Sequence, residues 1–324
     1  MSLTPGGRQT RRRIIRGNLR DLETPEEELV LRREAHAAEM VYEALHDPDC
    51  DAADPVRRLR LIGELWLSDS LPTEPYGDVT ATALRRGDMI AARAENDFRM
   101  LFARRLAAAL SEGGGLSAYD LLEGSAPPED GSPALRLACL RHHGIAAVLS
   151  SLRAKYPGLI CTESASPRDA FVTVAEGSAD GVLFLLQTAA GASVPSVMAE
   201  LYRSRLCVLR CLQVGEADGS ATLFGLAASP HGKTAFLRAP RDADGLTLAF
   251  SCRCGDEAAN GRTLLGALLW FGCAVDRFEW DGTRIRVRCR GSAAALRETL
   301  VYLRLFFAGL SVSGLYLSEQ TNKI

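Results

Sequence analysis

Between residues 246 and 317 the hydrophobic period of the sequence switches repeatedly, and each switch can be read. Leu246, Leu248, Phe250, Cys252 and Cys254 alternate with Thr247, Ala249, Ser251 and Arg253, the period of two of a strand with one buried face. Leu264, Leu265, Leu268 and Leu269 then recur at helical spacing, which predicts a helix over residues 257–271. Residues 273–280 read as a second strand, and Asp281-Gly282 is a preferred two-residue hairpin turn because glycine accepts positive φ. Residues 284–290 form the return strand, with Ile285, Val287 and Cys289 on one face and Arg284, Arg286, Arg288 and Arg290 on the other. Ser292 caps a helix running to about residue 308, and residues 311–317 supply a closing strand. The order β-α-β-β-α-β is the split βαβ, or ferredoxin-like, pattern. Right-handed crossovers put both of its helices on one face of an antiparallel sheet.

A chain of 324 residues exceeds one small domain and suits two or three. Hydrophobic residues at 47% and charged residues at 24% predict a packed soluble protein. A net charge of −2 argues against a surface that tracks nucleic acid or anionic lipid along its whole length. Nine cysteines, an odd number without a framework spacing, suggest reduced thiols in a cytoplasm. No signal peptide is visible. The apolar run 300–317 is interrupted by Arg304, Gly309 and Gly314, so no membrane association is expected.

Taken in order, residues 1–20 form a basic arm carrying Arg8, Arg11, Arg12, Arg13, Arg16 and Arg20, expected to be disordered. Residues 21–122 read as a helical domain. Thr24-Pro25-Glu26-Glu27 starts a helix to about His46, a second follows Asp54-Pro55, and a third spans about 79–110 beyond the breakers Pro72, Pro75 and Gly77. Residues 123–133, with Gly124, Pro127, Pro128, Gly131 and Pro133, are a linker. Residues 134–230 are read as an α/β module: a helix over 134–156, strands at 159–163 and 171–175, a helix opened by Gly177-Ser178, another over 195–203, and strands at 206–214 and 221–227. The predicted fold class is therefore α+β: an N-terminal helical region, then two α/β sandwich-like modules, the last ferredoxin-like. Gly177-Ser178-Ala179 and Gly291-Ser292-Ala293 before predicted helices raise an internal duplication as one reading and ordinary capping as the other.

No constellation of residues specifies a reaction, so no catalytic residue, metal or cofactor is expected. Residues 227–234 have the loose form of a phosphate loop, which would offer His231, Lys233 and Thr234 to a phosphate, but Pro240 and Gly245 leave no room for the helix such a loop needs. Cys252 and Cys254 continue a buried strand face, and no second pair has metal-finger spacing. His142-His143 is read within a helix that ends near Gly144 or continues to Tyr156, where adjacent side chains point about 100° apart, which favours a solvent-facing or packed pair over a catalytic dyad. The row Arg284, Arg286, Arg288, Arg290 is the unusual feature. Its readings are pairing with Asp276 and Glu279 of the neighbouring strand, a subunit or domain contact, and capture of an anionic small molecule or RNA.

The stretch 246–310 resembles the C-terminal appendage of phosphoenolpyruvate-synthase-like proteins, through residues 246–250, 255–259, 271–276, 281–288 and 300–307. That resemblance implies a non-catalytic accessory module. Nothing in the chain matches the family's ATP-binding region or its phosphorylated histidine. The leading expectation is a non-enzymatic regulatory, ligand-sensing or protein-interaction protein, with a protein partner or self-association. The alternatives are an enzyme or binding protein for a phosphate-bearing ligand, using Arg284, Arg286, His231 and Lys233, and an RNA-associated protein using the basic arm and the arginine strand.

Overall fold

Central strands buried on both faces lose the alternation that marks a half-buried strand, and two such strands organise the first half of the sheet. In the computed structural model, which describes residues 26–66, 86–112, 115–123, 134–216, 220–240, 242–253, 257–280 and 282–320, Arg136–Leu140 is strand β1 and Gly181–Gln187 is strand β3. The sequence pattern places both in helices, and the structure corrects this. Six consecutive residues of β3, from Gly181 to Leu186, are buried, so their side chains meet apolar neighbours on either side of the sheet. Gly144, at φ +73°, breaks the stretch expected as one helix; helix α4 (Ile145–Lys155) begins only after it. Residues 171–175, expected as a strand, belong instead to helix α5 (Pro167–Ala175). Ser166 caps that helix by accepting from the Asp169 N–H at 3.1 Å, with Pro167 in its first turn.

The remaining elements follow their expected order. They are α1 (Glu26–His46), α2 (Pro55–Trp66), α3 (Arg86–Glu112), β2 (Ile160–Ser164), α6 (Pro195–Arg203), β4 (Cys207–Gly215) and β5 (Ala221–Ala228). Residues 246–320 then contribute β6 (Leu246–Arg253), α7 (Glu257–Trp270), β7 (Ala274–Trp280), β8 (Arg284–Gly291), α8 (Ala293–Phe306) and β9 (Ser311–Gln320). Residues 1–20, the Thr24-Pro25 helix start, the breakers at 72–77, residues 124–133, Cys254 and Asp281 lie outside the described residues.

All nine described strands join one mixed sheet in the order β2-β1-β3-β5-β4-β9-β6-β8-β7. The first half is parallel across β2, β1 and β3, with β5 inserted antiparallel between β3 and β4. In the second half, β9, β6, β8 and β7 are antiparallel throughout. The halves meet where β4 pairs parallel to β9, from Val208↔Gly314 to Gln213↔Gln320. The two modules read from the sequence thus share a single sheet, and their strand orders differ.

Helices α5 and α6 cover one face of the first half, over Val182, Phe184 and Val208. The other face carries α4 and α8, and the N-terminal helices lie over α8 as a further layer. Gly63 brings α2 close: a Cβ there would lie 3.4 Å from the Leu305 carbonyl of α8. Asn96 of α3 accepts from the Tyr302 hydroxyl at 2.7 Å, and Arg104 pairs with Glu298 at 3.0 Å. Tyr119 fastens the layers together, donating to the Leu315 carbonyl at 3.1 Å and accepting from the Ala239 N–H at 2.9 Å. Its burial pushes the phenol pKa up to about 12. One expectation is corrected here: the cysteines are not all reduced. Cys139 and Cys161 form a disulfide between β1 and β2, while Cys50, Cys207, Cys211, Cys252, Cys273 and Cys289 are buried thiols. Among the described residues no helix is long and apolar enough to cross a membrane; α8 stops at Phe306 and β9 begins at Ser311.

Candidate functional site

Alternation along β8 sends Ile285, Val287 and Cys289 into the helix-covered core and the four arginines to the opposite face. The neighbouring positions on β6 are small. Thr247 lies opposite Arg290, Ala249 opposite Arg288 and Ser251 opposite Arg286, which leaves room for guanidinium groups to lie over the sheet. On β7, Arg277 lies opposite Arg288 and Glu279 opposite Arg286.

The four arginines have different surroundings. Arg290 is held by both oxygens of Asp276 at 2.8 to 3.0 Å, the cross-strand pairing anticipated from the sequence. Arg284 donates to Ser251 Oγ at 3.1 Å and to the Gly309 carbonyl at 2.8 Å. Arg288 donates to Gln187 Oε1 at 2.8 Å, reaching from the second half of the sheet to the first. The Arg286 guanidinium carbon sits 5.9 Å from the centre of the Tyr202 ring, within cation–π range.

Arg286 and Arg288 also line a cavity of about 350 Å³ where α6 ends and the arginine face begins. The first half contributes Leu186, Gln187, Met198, Tyr202 and Val208; the second contributes Phe250, Arg277, Glu279, Ser313 and Tyr316. Three guanidinium groups against one carboxylate leave the lining a formal surplus of two positive charges. Burial pushes the pKa of both Tyr202 and Tyr316 upward, so both phenols stay protonated at neutral pH. The site therefore offers fixed positive charge, neutral hydrogen-bonding groups and an apolar floor, the composition of a binding pocket.

His231, Lys233 and Thr234 are placed elsewhere and do not line this cavity. Thr234 is fully buried and donates to the Ser229 carbonyl at 2.6 Å. Lys233 pairs at 3.1 Å with Asp180, which also accepts from the Arg136 N–H at 2.7 Å and Arg136 Nη2 at 2.9 Å. Burial alone would raise the Asp180 pKa; the donors from Arg136 and Lys233 outweigh it and hold the carboxyl below its ordinary range. His231 donates through Nε2 to the Leu122 carbonyl at 3.0 Å and accepts at Nδ1 from Arg238 at 3.1 Å. These contacts tie a short 3₁₀ segment (Gly232–Leu237) to the body of the fold.

A second, more open cavity of about 510 Å³ lies past the carboxyl ends of β1 and β3, lined by His142, His143, Thr188, Glu216, Ser220 and Thr222. The two histidine rings lie tilted against each other, centroids 4.0 Å apart, in the turn between β1 and α4, not in a helix. Burial, then the neighbouring His143, lowers the His142 pKa. The sequence signal for this turn is Gly144, where the expected helix either ends or runs on to Tyr156; the structure starts the helix only after it. Among the described residues no three His, Cys, Asp or Glu side chains converge to hold a metal. Burial pushes the Cys207 thiol up to about 12 and the Cys211 thiol up to about 11, which keeps both protonated and poorly nucleophilic at neutral pH.

No family model matches the chain, and no curated protein matches it. Among solved structures, it is similar to GqqA, described as a novel type of quorum-quenching acylase, at 20% identity and TM-score 0.43, over 57% of this chain and 95% of that one. It is also similar to prephenate dehydratase from Streptococcus mutans, at 11% identity and TM-score 0.44, over 57% of this chain and 99% of the other. Prephenate dehydratase from Arthrobacter aurescens, solved in complex with L-Phe, is similar at 12% identity and TM-score 0.44, over 56% of this chain and 90% of that one.

Proposed function

We propose that this protein is a ligand-sensing regulator whose second half is a ferredoxin-like accessory module, and that its cavity binds a small organic anion. The strand order β9-β6-β8-β7, antiparallel throughout, supports the ferredoxin-like reading, and a non-catalytic module is also what the resemblance of residues 246–310 implies. The observation that carries the ligand reading is the 350 Å³ cavity itself, which draws its walls from both halves of the sheet and concentrates positive charge above an apolar floor. Its volume falls in the range of small-molecule sites. Guanidinium groups recognise carboxylate and phosphate alike, through paired N–H donors. Leu186, Met198, Val208 and Phe250 favour a ligand that carries an apolar group behind its anionic head. Arg288 already bridges to Gln187 across the halves, so a ligand seated on Arg286 and Arg288 adds to a contact between them. That is how binding would be converted into a structural signal.

The test is isothermal titration calorimetry with small carboxylates and phosphate monoesters that carry apolar groups of graded size. Saturable binding of at least one series is expected, weakened roughly tenfold to a hundredfold by Arg286→Ala, the range for a lost charge-assisted hydrogen bond. Absence of binding, or binding indifferent to Arg286→Ala and Arg288→Ala, defeats the proposal. RNA recognition is less well served, because the aromatics of β7 pair in register with the core-facing residues of β8. Phe278 lies opposite Val287 and Trp280 opposite Ile285, so stacking rings and arginines occupy opposite faces.

A further inference from the structure

We propose that two copies of this chain join edge to edge through strand β7, extending the nine-stranded sheet across a two-fold axis at Phe278. β7 ends the sheet order and pairs with β8 alone, so its outer edge has no strand partner among the described residues. An open edge beside exposed apolar side chains is a template for another strand. Five of the nine exposed large hydrophobic side chains among the described residues lie here: Leu265, Leu269 and Trp270 on α7, with Phe278 and Trp280 on β7. Gly261, Leu265 and Leu269 fall at i, i+4 and i+8 along α7, and Gly261 sits beside the Phe278 ring, 3.7 Å from where its Cβ would be. Gly261 thus sets the exposed side of α7 against Phe278 of the edge strand, while Trp270, at the end of that helix, lies under the Arg104 guanidinium at 3.8 Å.

The occupant is identified by charge. A two-fold interface pairs each residue with its mirror position on an identical strand. An axis at Phe278 sets the two Phe278 side chains together on the α7 side. It sets Arg277 opposite Glu279 of the second copy, and Glu279 opposite its Arg277, on the other side. Moving the axis one residue either way sets Arg277 against Arg277 or Glu279 against Glu279, which is destabilising directly across a strand pair. The sequence Arg277-Phe278-Glu279 is therefore complementary to itself in one register only. Within one chain Arg277 donates to Glu279 at 2.6 Å, and both side chains are more than 40% exposed, so the pair is open to a four-charge arrangement between copies. The bulge before Arg277 turns the start of β7 away and confines the pairing to its second half. Because Arg277 and Glu279 also line the cavity, the second copy reaches its rim, yet dimer formation needs no ligand and stands whether or not an anion binds.

The experiment is sedimentation equilibrium on the full chain and on two charge variants, alone and mixed. The unmodified chain is expected to be a dimer at micromolar concentration. Arg277→Glu places four carboxylates across the axis, and Glu279→Arg places four guanidinium groups; each is expected to weaken the dimer roughly tenfold or more. Mixing the two variants restores complementarity only between chains, and dimers are expected to return. Leu269→Lys, at a position 60% exposed and so without consequence for folding, is expected to weaken the dimer as well. A monomeric unmodified chain, single variants that dimerise normally, or a mixture that stays monomeric would each overturn the proposal.

Discussion

Asp180 is buried, only 1% exposed, and serves Arg136 and Lys233 together. Removing its charge leaves two cations facing a neutral group in a buried site. Asp180→Asn is therefore expected to destabilise the chain by about 3 kcal/mol, read as a fall in the urea midpoint. The pH dependence follows from the depressed folded-state pKa. The stabilisation is fully present above the unfolded carboxyl pKa of about 4 and is lost as pH falls through the lower folded value. Acid titration of stability should accordingly show a decline below about pH 4 that is shallower in Asp180→Asn. Lys233, a candidate phosphate contact from the sequence, thus has a structural partner, and Lys233→Ala is expected to lower stability before it alters any binding.

At the level of elements, glycines separate close packing from open helix. A Cβ at Gly181, at the start of β3, would lie 2.7 Å from the Ala227 carbonyl of the paired strand β5. Gly181→Ala is expected to cost about 1–3 kcal/mol because the sheet must open to admit it. Gly266 in α7 has nothing within 4 Å of the same atom, so Gly266→Ala is expected to stabilise by roughly 0.5–1 kcal/mol through helix propensity. Denaturant midpoints of the two variants should move in opposite directions. The contrast also explains what could be read in advance. β6 and β8 were legible because their residue types alternate in polarity, Leu246, Leu248 and Phe250 with Thr247, Ala249 and Ser251, and Ile285, Val287 and Cys289 with four arginines, even though Thr247 and Ser251 are themselves buried. β1 and β3 were not, because Gly181-Val182-Leu183-Phe184 meets apolar side chains above and below, and a continuous apolar run fits a buried helix equally well. α5 has a start signal in Ser166, Pro167 and Asp169, but the β-branched Val172, Thr173 and Val174 suit a strand as well, and residues 171–175 read as one. The arginine row was visible as a row. Which of its members meet a cavity depends on α6 and on Gln187, about a hundred residues away along the chain, and no local pattern encodes that.

Across the whole molecule, one apolar cluster runs from Met40 and Phe102 of the N-terminal helices through Leu152 and Phe224 to Leu300 and Leu315. The described parts are therefore expected to unfold together, with a calorimetric enthalpy equal to the van't Hoff value; a separate early transition would mean that residues 26–112 melt alone. The position of β9 carries a different consequence, for biosynthesis. It lies between β4 and β6 in the sheet, yet it is made after the other eight described strands. Until residues 311–320 leave the ribosome, β4 and β6 each present an unsatisfied edge, and the two halves have no shared strand to hold them. The nascent chain must wait for β9 to close the middle of the sheet. Ribosome-stalled chains that end near residue 310 should stay sensitive to protease, whereas those long enough to expose residue 320 should become resistant in one step.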